Sequence, residues 1–311
     1  MPLIGSHATV TGGLATGGLG YAAEVGAEVI QVFVSNPRGW AAGPVSAAED
    51  AALRAAAIPV YIHATYLVNL GSGNPEVAAK SADAVGHALR RGAEIGARGV
   101  VVHTGSAAGW TGEGMEQALR QIGELTVPLL DKLGDDDPDL LFEPMAGQGR
   151  MLCARSGDLA SYLSAVGHHP KAAICLDTCH LFAAGHDLAA PGGVDAMLAE
   201  LDGLDGPSGL DGPGGSAGRS AAGGAGRPVR TLVKLVHAND SLLGCGSKRD
   251  RHETIGAGLI GTEPFRELLA ALPDVPFVVE TPGGKAGHAR DIATLKGLRD
   301  EAADGVVQRS R

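Results

Sequence analysis

The sequence predicts one (β/α)8 barrel (TIM barrel) across residues 1–311, with a metal site at the carboxyl ends of its strands. Two observations predict it. The first is a repeated form. Residues 61–63, 100–103, 140–143, 174–177, 232–237 and 277–280 are largely apolar runs, closed by His63, His103, Glu143, Asp177, His237 and Glu280. Two more runs, residues 3–6 and 29–34, have strand character and lead to His7 and Asn36. Parallel strands covered on both faces read as such continuous apolar runs. The second observation is alternation: helical segments separate the runs, and the strands number eight. In that fold all strands end on one face, where the site lies, so residues far apart in sequence meet there.

Taken in order, Gly5-Ser6-His7 opens the barrel and residues 17–28 make the first helix. The second strand leads to Ser35-Asn36-Pro37-Arg38-Gly39-Trp40, a loop with polar, basic and aromatic members. Residues 47–57 are Ala-rich and helical. After His63 comes Ala64-Thr65-Tyr66-Leu67-Val68-Asn69-Leu70, an apolar loop with a tyrosine. Two readings stand for it: contact with a stacked ligand, or a hydrophobic plug against the next helix. Residues 76–96 form a helix, and the fourth strand ends in His103-Thr104-Gly105-Ser106.

Asp135-Asp136-Asp137-Pro138-Asp139 reads as a solvated loop before the fifth strand, which ends in Glu143-Pro144-Met145-Ala146-Gly147-Gln148-Gly149. Glycines there allow close backbone approach to a ligand. The sixth strand ends at Asp177, with His180 on the loop beyond, and a helix covers roughly 193–201. Residues 202–227 are dense in Gly, Ser, Ala and Pro, the composition of a flexible linker. Barrel strands flank this stretch, so it reads as a dispensable insertion in a helix–strand connection. The seventh strand gives His237-Ala238-Asn239-Asp240, and a long loop then carries Asp250 and His252. Two residues apart in an extended loop, these side chains point the same way. Glu280 closes the eighth strand, and residues 287–301 form the last helix.

At 311 residues the chain can build one substantial core, and its hydrophobic fraction of 44% is ordinary for a globular protein. It has no apolar stretch long enough to span a membrane. Its N-terminus lacks a secretory pattern. The 4 cysteines form no C-x-x-C pair and read as reduced thiols of the cytoplasm; Cys179 reads as a small packing residue. A net charge of −10 argues against a generic nucleic-acid binder. Divalent cations at a cluster would reverse that field locally.

Of the 11 histidines, His87, His168, His169 and His288 read as surface residues. His7 and His186 read as side chains that support ligands from behind. His63, His103 and His237, taken with the strand-end carboxylates, point to a polynuclear site suited to zinc or manganese.

At these motifs the chain resembles the endonuclease IV family of abasic-site DNA repair enzymes. The segments are His63-Ala64-Thr65-Tyr66-Leu67, Ala146-Gly147-Gln148-Gly149 after Glu143, Leu176-Asp177-Thr178-Cys179-His180, and His237 with Asn239-Asp240. The most specific is Asp250-Arg251-His252 with Gly256, Gly258, Ile260 and Gly261. The resemblance implies three zinc ions, with manganese able to replace one. His63 and His103 would hold the first, and Glu143 would bridge to the second. Asp177, His237 and Glu280 would complete the second, and His180, Asp250 and His252 would hold the third. Glu143, Asp177 and Glu280 would act most directly in catalysis. DNA contacts are implied at Asn36, Arg38, Tyr66, Leu67, Gln148, Lys248 and Arg251, with His7 behind the ligands.

The implied reaction is cleavage of the phosphodiester 5′ to an abasic site, leaving a 3′ hydroxyl, with removal of blocking groups at 3′ ends. The implied partner is damaged double-stranded DNA, bound by a monomer in the cytoplasm near the nucleoid. The chain departs from the family at Pro144-Met145, Ala64-Thr65, Thr104 and Lys248, and none of these removes a ligand. Two other classes compete. A metal-dependent sugar isomerase or epimerase shares the barrel but needs no third ion. A non-enzymatic damage-binding protein would not need the intact ligand set.

Overall fold

A computed structural model describes residues 1–112, 114–204 and 229–309, with side chains described to residue 303. The element order is β1 (Ile4–His7), α1 (Leu14–Val25), β2 (Ile30–Val32), α2 (Ala47–Arg54), β3 (Val60–His63), α3 (Pro75–Ile95), β4 (Gly99–His103), α4 (Gly114–Leu130) and β5 (Asp139–Glu143). It continues with α5 (Leu159–Ala165), β6 (Ala172–Asp177), α6 (Thr178–Ala184), α7 (Gly193–Asp202), β7 (Val233–His237), β8 (Asp240–Ser241), β9 (His252–Glu253), α8 (Glu263–Ala271), β10 (Phe277–Val279) and α9 (Gly284–Arg309). Short 3₁₀ turns precede α5 and β7.

Eight strands close into a parallel barrel in the order β1-β10-β7-β6-β5-β4-β3-β2, as the sequence predicts. The remaining pair, β8 and β9, forms a small antiparallel ribbon at the mouth. Nearly all of the Gly-rich stretch expected to be a dispensable insertion, residues 205–228, lies outside the described residues.

Side-chain alternation sets which residues enter the barrel. Val29, Tyr61, Val101, Leu141, Ala173, Cys175, Leu235 and Val278 form one buried cluster, separate from the larger core beneath the helices. Val100 and Val102, on either side of Val101, belong to that larger core. A strand's period of 2 then points His63, His103, Glu143, Asp177, His237 and Glu280 inward, each two residues beyond an interior residue. The apolar layer is the floor on which the polar layer stands. Truncating a floor residue such as fully buried Leu141 to Ala would cost about 2–5 kcal/mol.

The helices begin and end where local chemistry dictates. Asn74 caps α3 by accepting from the backbone of Glu76 and Val77, and Pro75 follows at the first turn. Gly26 and Gly96 end α1 and α3 in the left-handed conformation. The Gly26 stop makes α1 Leu14–Val25, earlier than the predicted 17–28. The last helix is longer than the predicted 287–301.

Candidate metal centre

Asp177 shows how the fold builds the site. It ends β6 and caps α6, its Oδ1 accepting from the His180 backbone at 2.8 Å. Its Oδ2 accepts from Asn239 Nδ2 at 2.7 Å. Asp177 is fully buried, and the turn it caps brings His180 back into the mouth.

Glu143 sits at the centre with 1% exposure. Its Oε2 lies 3.3 Å from His63 Nε2 and 3.6 Å from His103 Nε2. Its Oε1 lies 3.1 Å from His237 Nδ1 and 3.2 Å from His180 Nδ1. His237 Nδ1 is also 3.5 Å from Glu280 Oε2 and 3.9 Å from Asp177 Oδ2. On the far side, His180 Nε2 lies 3.3 Å from Asp250 Oδ2, and His252 Nε2 lies 3.1 Å from Asp250 Oδ1. All nine predicted ligand positions therefore meet in one place. Donor atoms within 4.8 Å of one another include the three predicted groups, His63/His103/Glu143, Asp177/His237/Glu280 and His180/Asp250/His252, and two that overlap them, Glu143/Asp177/His180 and Asp177/Cys179/His252.

Backbone carbonyls orient several imidazoles. His63 Nδ1 donates to Ala64 O at 2.7 Å, His180 Nδ1 to Pro144 O at 3.0 Å, and His252 Nδ1 to Glu280 O at 3.2 Å. A carbonyl can only accept, so Nδ1 carries a proton and Nε2 is the atom aimed into the cluster. The departure at Pro144 leaves this bond to His180 in place, because the proline contributes its carbonyl and needs no N–H.

The electrostatics favour added positive charge. Burial raises the carboxyl pKa of Glu143, but His237, His103 and His180 outweigh it and hold the group well below the ordinary range. Burial likewise opposes the charges on Glu280 and Asp250, which neighbouring imidazoles keep low. Asp177 is pushed up, because burial there prevails over its imidazoles. Burial lowers His103 to about 4. The carboxylates overcome burial at His252, which rises to about 9, and draw protons onto His180 and His237. The buried atoms Glu143 Oε2 and His252 Nε2 find no hydrogen-bond partner among the described residues. An N/O donor set with unsatisfied buried atoms in a field that attracts cations fits divalent metal of the zinc or manganese kind.

The predicted DNA-contact residues ring the mouth. Asn36, Arg38, Gln148, Lys248 and Arg251 are exposed. Tyr66 and Leu67 are 46% and 36% exposed, so the loop after β3 does not bury them as a plug would. Tyr66 N donates to Pro37 O at 3.0 Å, joining this loop to the one after β2. The Tyr66 ring meets Phe33 at 5.2 Å and stacks over His103 at 5.8 Å.

Some readings are corrected. His7 Nδ1 lies 3.4 Å from Glu280 Oε1. His186 does not support a ligand; its Nε2 accepts from Ser156 N at 3.1 Å, outside the cluster. His288 is buried, bonding Tyr21 and Thr281, because α9, which carries it, packs against α1 with this face inward. His169 pairs with Asp131 at 3.3 Å. Cys179 packs fully buried beneath the site, its Sγ 3.9 Å from Asp250.

One residue escaped sequence reasoning. Gln31, fully buried on β2, bonds both Glu280 and His237. The signal was parity, since Gln31 stands two residues after the interior Val29. A cavity of about 910 Å³ opens at the opposite end of the barrel among Arg98, Asp137, Lys171 and Lys234 and holds none of these groups.

The chain matches the Xylose isomerase-like TIM barrel family over residues 19–299. A Streptomyces coelicolor protein named probable endonuclease 4 is 48% identical over 304 residues, covering 96% of this chain and 95% of its own. A protein of the same name from Nitratidesulfovibrio vulgaris is 35% identical, covering 96% of this chain and 99% of its own. The crystal structure of endonuclease IV from Thermus thermophilus superposes with a TM-score of 0.77 at 30% identity, over 96% of this chain and 100% of that one. A D-tagatose 3-epimerase-like protein superposes with a TM-score of 0.68 at 18% identity, over 99% of this chain and 100% of that one, and shares the fold alone.

Proposed function

Since the chain belongs to the endonuclease IV family within the xylose isomerase-like TIM barrels, we propose that it is a zinc-dependent apurinic/apyrimidinic endonuclease. It hydrolyses the DNA phosphodiester 5′ to an abasic site, leaves a 3′ hydroxyl, and removes blocking groups from 3′ ends. Its substrate is damaged double-stranded DNA, and it acts as a monomer in the cytoplasm near the nucleoid.

The observation that carries this reading is the third group, His180, Asp250 and His252, beside the other two. A sugar isomerase or epimerase on this fold has no use for it. His63, His103 and Glu143 would hold one ion, Asp177, His237 and Glu280 a second, and the third group the last, with Glu143 shared by the first two. Manganese could replace one zinc. When bound, such ions supply Lewis acidity to phosphate oxygens and lower the pKa of a water nucleophile.

The chain's own residues do the rest. Glu143, Asp177 and Glu280 would hold the ions against which the reacting phosphate binds; alone, these carboxylates would repel it. Asn239 and the backbone carbonyls keep the ligands aimed, which limits reorganisation during reaction. Tyr66 and Leu67 enter the stack at the lesion, where no base resists extrusion. Asn36, Arg38, Gln148, Lys248 and Arg251 grip the flanking backbone; phosphate contacts of this kind carry affinity without sequence preference.

Elemental analysis with incision of an abasic duplex on one preparation tests the reading. The expected result is three metal ions per chain and nicking lost on chelation. Two ions with activity on a free ketose would favour the isomerase, and binding without nicking would favour the damage-binding protein.

A further inference from the structure

We propose that Gln31 is a positioning residue of the metal centre, holding Glu280 and His237 in the orientation that binds one and the same ion. The inference rests on the metal reading above. Gln31 is an uncharged, fully buried amide in the polar layer of the barrel. Its Nε2 lies 2.6 Å from Glu280 Oε1 and 3.0 Å from His7 Nδ1. Its Oε1 lies 2.9 Å from His237 Nε2.

The partners decide which way the amide points. An ionised carboxylate only accepts, so the nitrogen must face Glu280. The oxygen therefore faces His237 and accepts from its Nε2–H. That bond sets the tautomer and leaves the Nδ1 lone pair of His237 for the cluster. Nδ1 is the atom 3.1 Å from Glu143 and 3.5 Å from Glu280. For His63, His180 and His252 a backbone carbonyl performs this task. For His237 a side chain performs it, and a side chain can be exchanged.

The other half of the amide acts on Glu280. Donation to Oε1 leaves Oε2 as the oxygen turned toward His237. One amide on β2 thus orients two proposed ligands from β7 and the end of β10. Burial inside the barrel lets no water substitute for it.

Two variants test this by zinc retention, read as release from the zinc-loaded protein to a chromophoric chelator. Gln31→Met keeps the volume and removes both bonds. We expect its zinc to be released about 10–100-fold more readily, the range for lost orienting partners. Gln31→Leu, similar in size, also removes both bonds and should release zinc in the same range. Unfolding midpoints measured without metal separate lost packing from lost orientation: near-parent midpoints with readier zinc release are the expected pair. If one variant does not fold, the other decides. Parent-like zinc retention in a folded variant overturns the role of Gln31. A parent protein that holds no zinc overturns the metal reading itself, and that failure appears before either variant is made.

Discussion

Asn239 ties Asp177 to Glu280: its Nδ2 donates to Asp177 Oδ2 at 2.7 Å, and its Oδ1 accepts from the Glu280 backbone at 2.8 Å. Both partners are proposed ligands of the same ion, so Asn239 should matter to metal binding without touching the metal. Asn239→Ala should lower metal affinity and single-turnover incision by about 10–100-fold. Incision and metal content equal to the parent's would remove this role.

Glu280→Gln keeps the size of the side chain and loses its charge. Duplex affinity should survive, because phosphate contacts and the loops carry it. Single-turnover cleavage should fall by roughly two to four orders of magnitude, as expected when a charge that acts in the transition state is lost. Binding, metal content and cleavage on one preparation check this. Near-normal cleavage would take Glu280 out of the catalytic set.

Tyr66 and Leu67 stand exposed over the cluster, with Tyr66 stacked on His103. Tyr66→Ala and Leu67→Ala should weaken binding to an abasic duplex by about tenfold or more, in line with about 1–3 kcal/mol for a stacked base. Metal content should stay the same. Parent-like affinity in both variants would show that this loop does not read the lesion.

Asp240 is fully buried and organises the loop beyond the proposed ligands Asp250 and His252. Its carboxylate accepts from the backbones of Ser241, Gly256, Gly258 and Ile260 at 2.7–3.1 Å. Gly258 must be glycine, since a Cβ there would lie 2.4 Å from Asp240 Oδ1. Asp240→Asn replaces an acceptor with a donor facing N–H groups and should cost about 1–3 kcal/mol. Urea unfolding measures it, and an unchanged midpoint would contradict this account of the loop.

His288 makes a pH prediction. Burial lowers its pKa below 6.5. Its Nε2 donates to Thr281 O at 2.9 Å, so its Nδ1 accepts from Tyr21 OH at 2.8 Å, and the folded ring is neutral. As pH falls through about 6.5, the unfolded chain takes up a proton that the folded chain refuses. This contribution to stability is present above that pH and is lost below it. Unfolding midpoints of the parent and His288→Gln at neutral and mildly acidic pH should converge as pH falls. A constant gap would show that His288 does not titrate between the two states.

The barrel and the proposed ligands were legible in the sequence for one physical reason. A parallel strand buried on both faces must be apolar, so a His, Glu or Asp at its end stands out. Chain order and a period of 2 then send His63, His103, Glu143, Asp177, His237 and Glu280 to one face. The family likeness marked His180, Asp250 and His252 as a set; they lie in the first turn of α6, on a loop and on the short strand β9, where the barrel-strand period does not reach. Tertiary structure alone decided the rest. Gln31 is a polar residue within a strand, and nothing nearby in sequence reveals its partners, because Glu280 and His237 reach it only when the barrel closes. His288 reads as a surface helix residue until the turn after Glu280 lays α9 against α1 and turns this side chain inward. Strand ends announce themselves by the contrast between a buried run and a charge, whereas hydrogen bonds between distant side chains exist only once the strands are assembled.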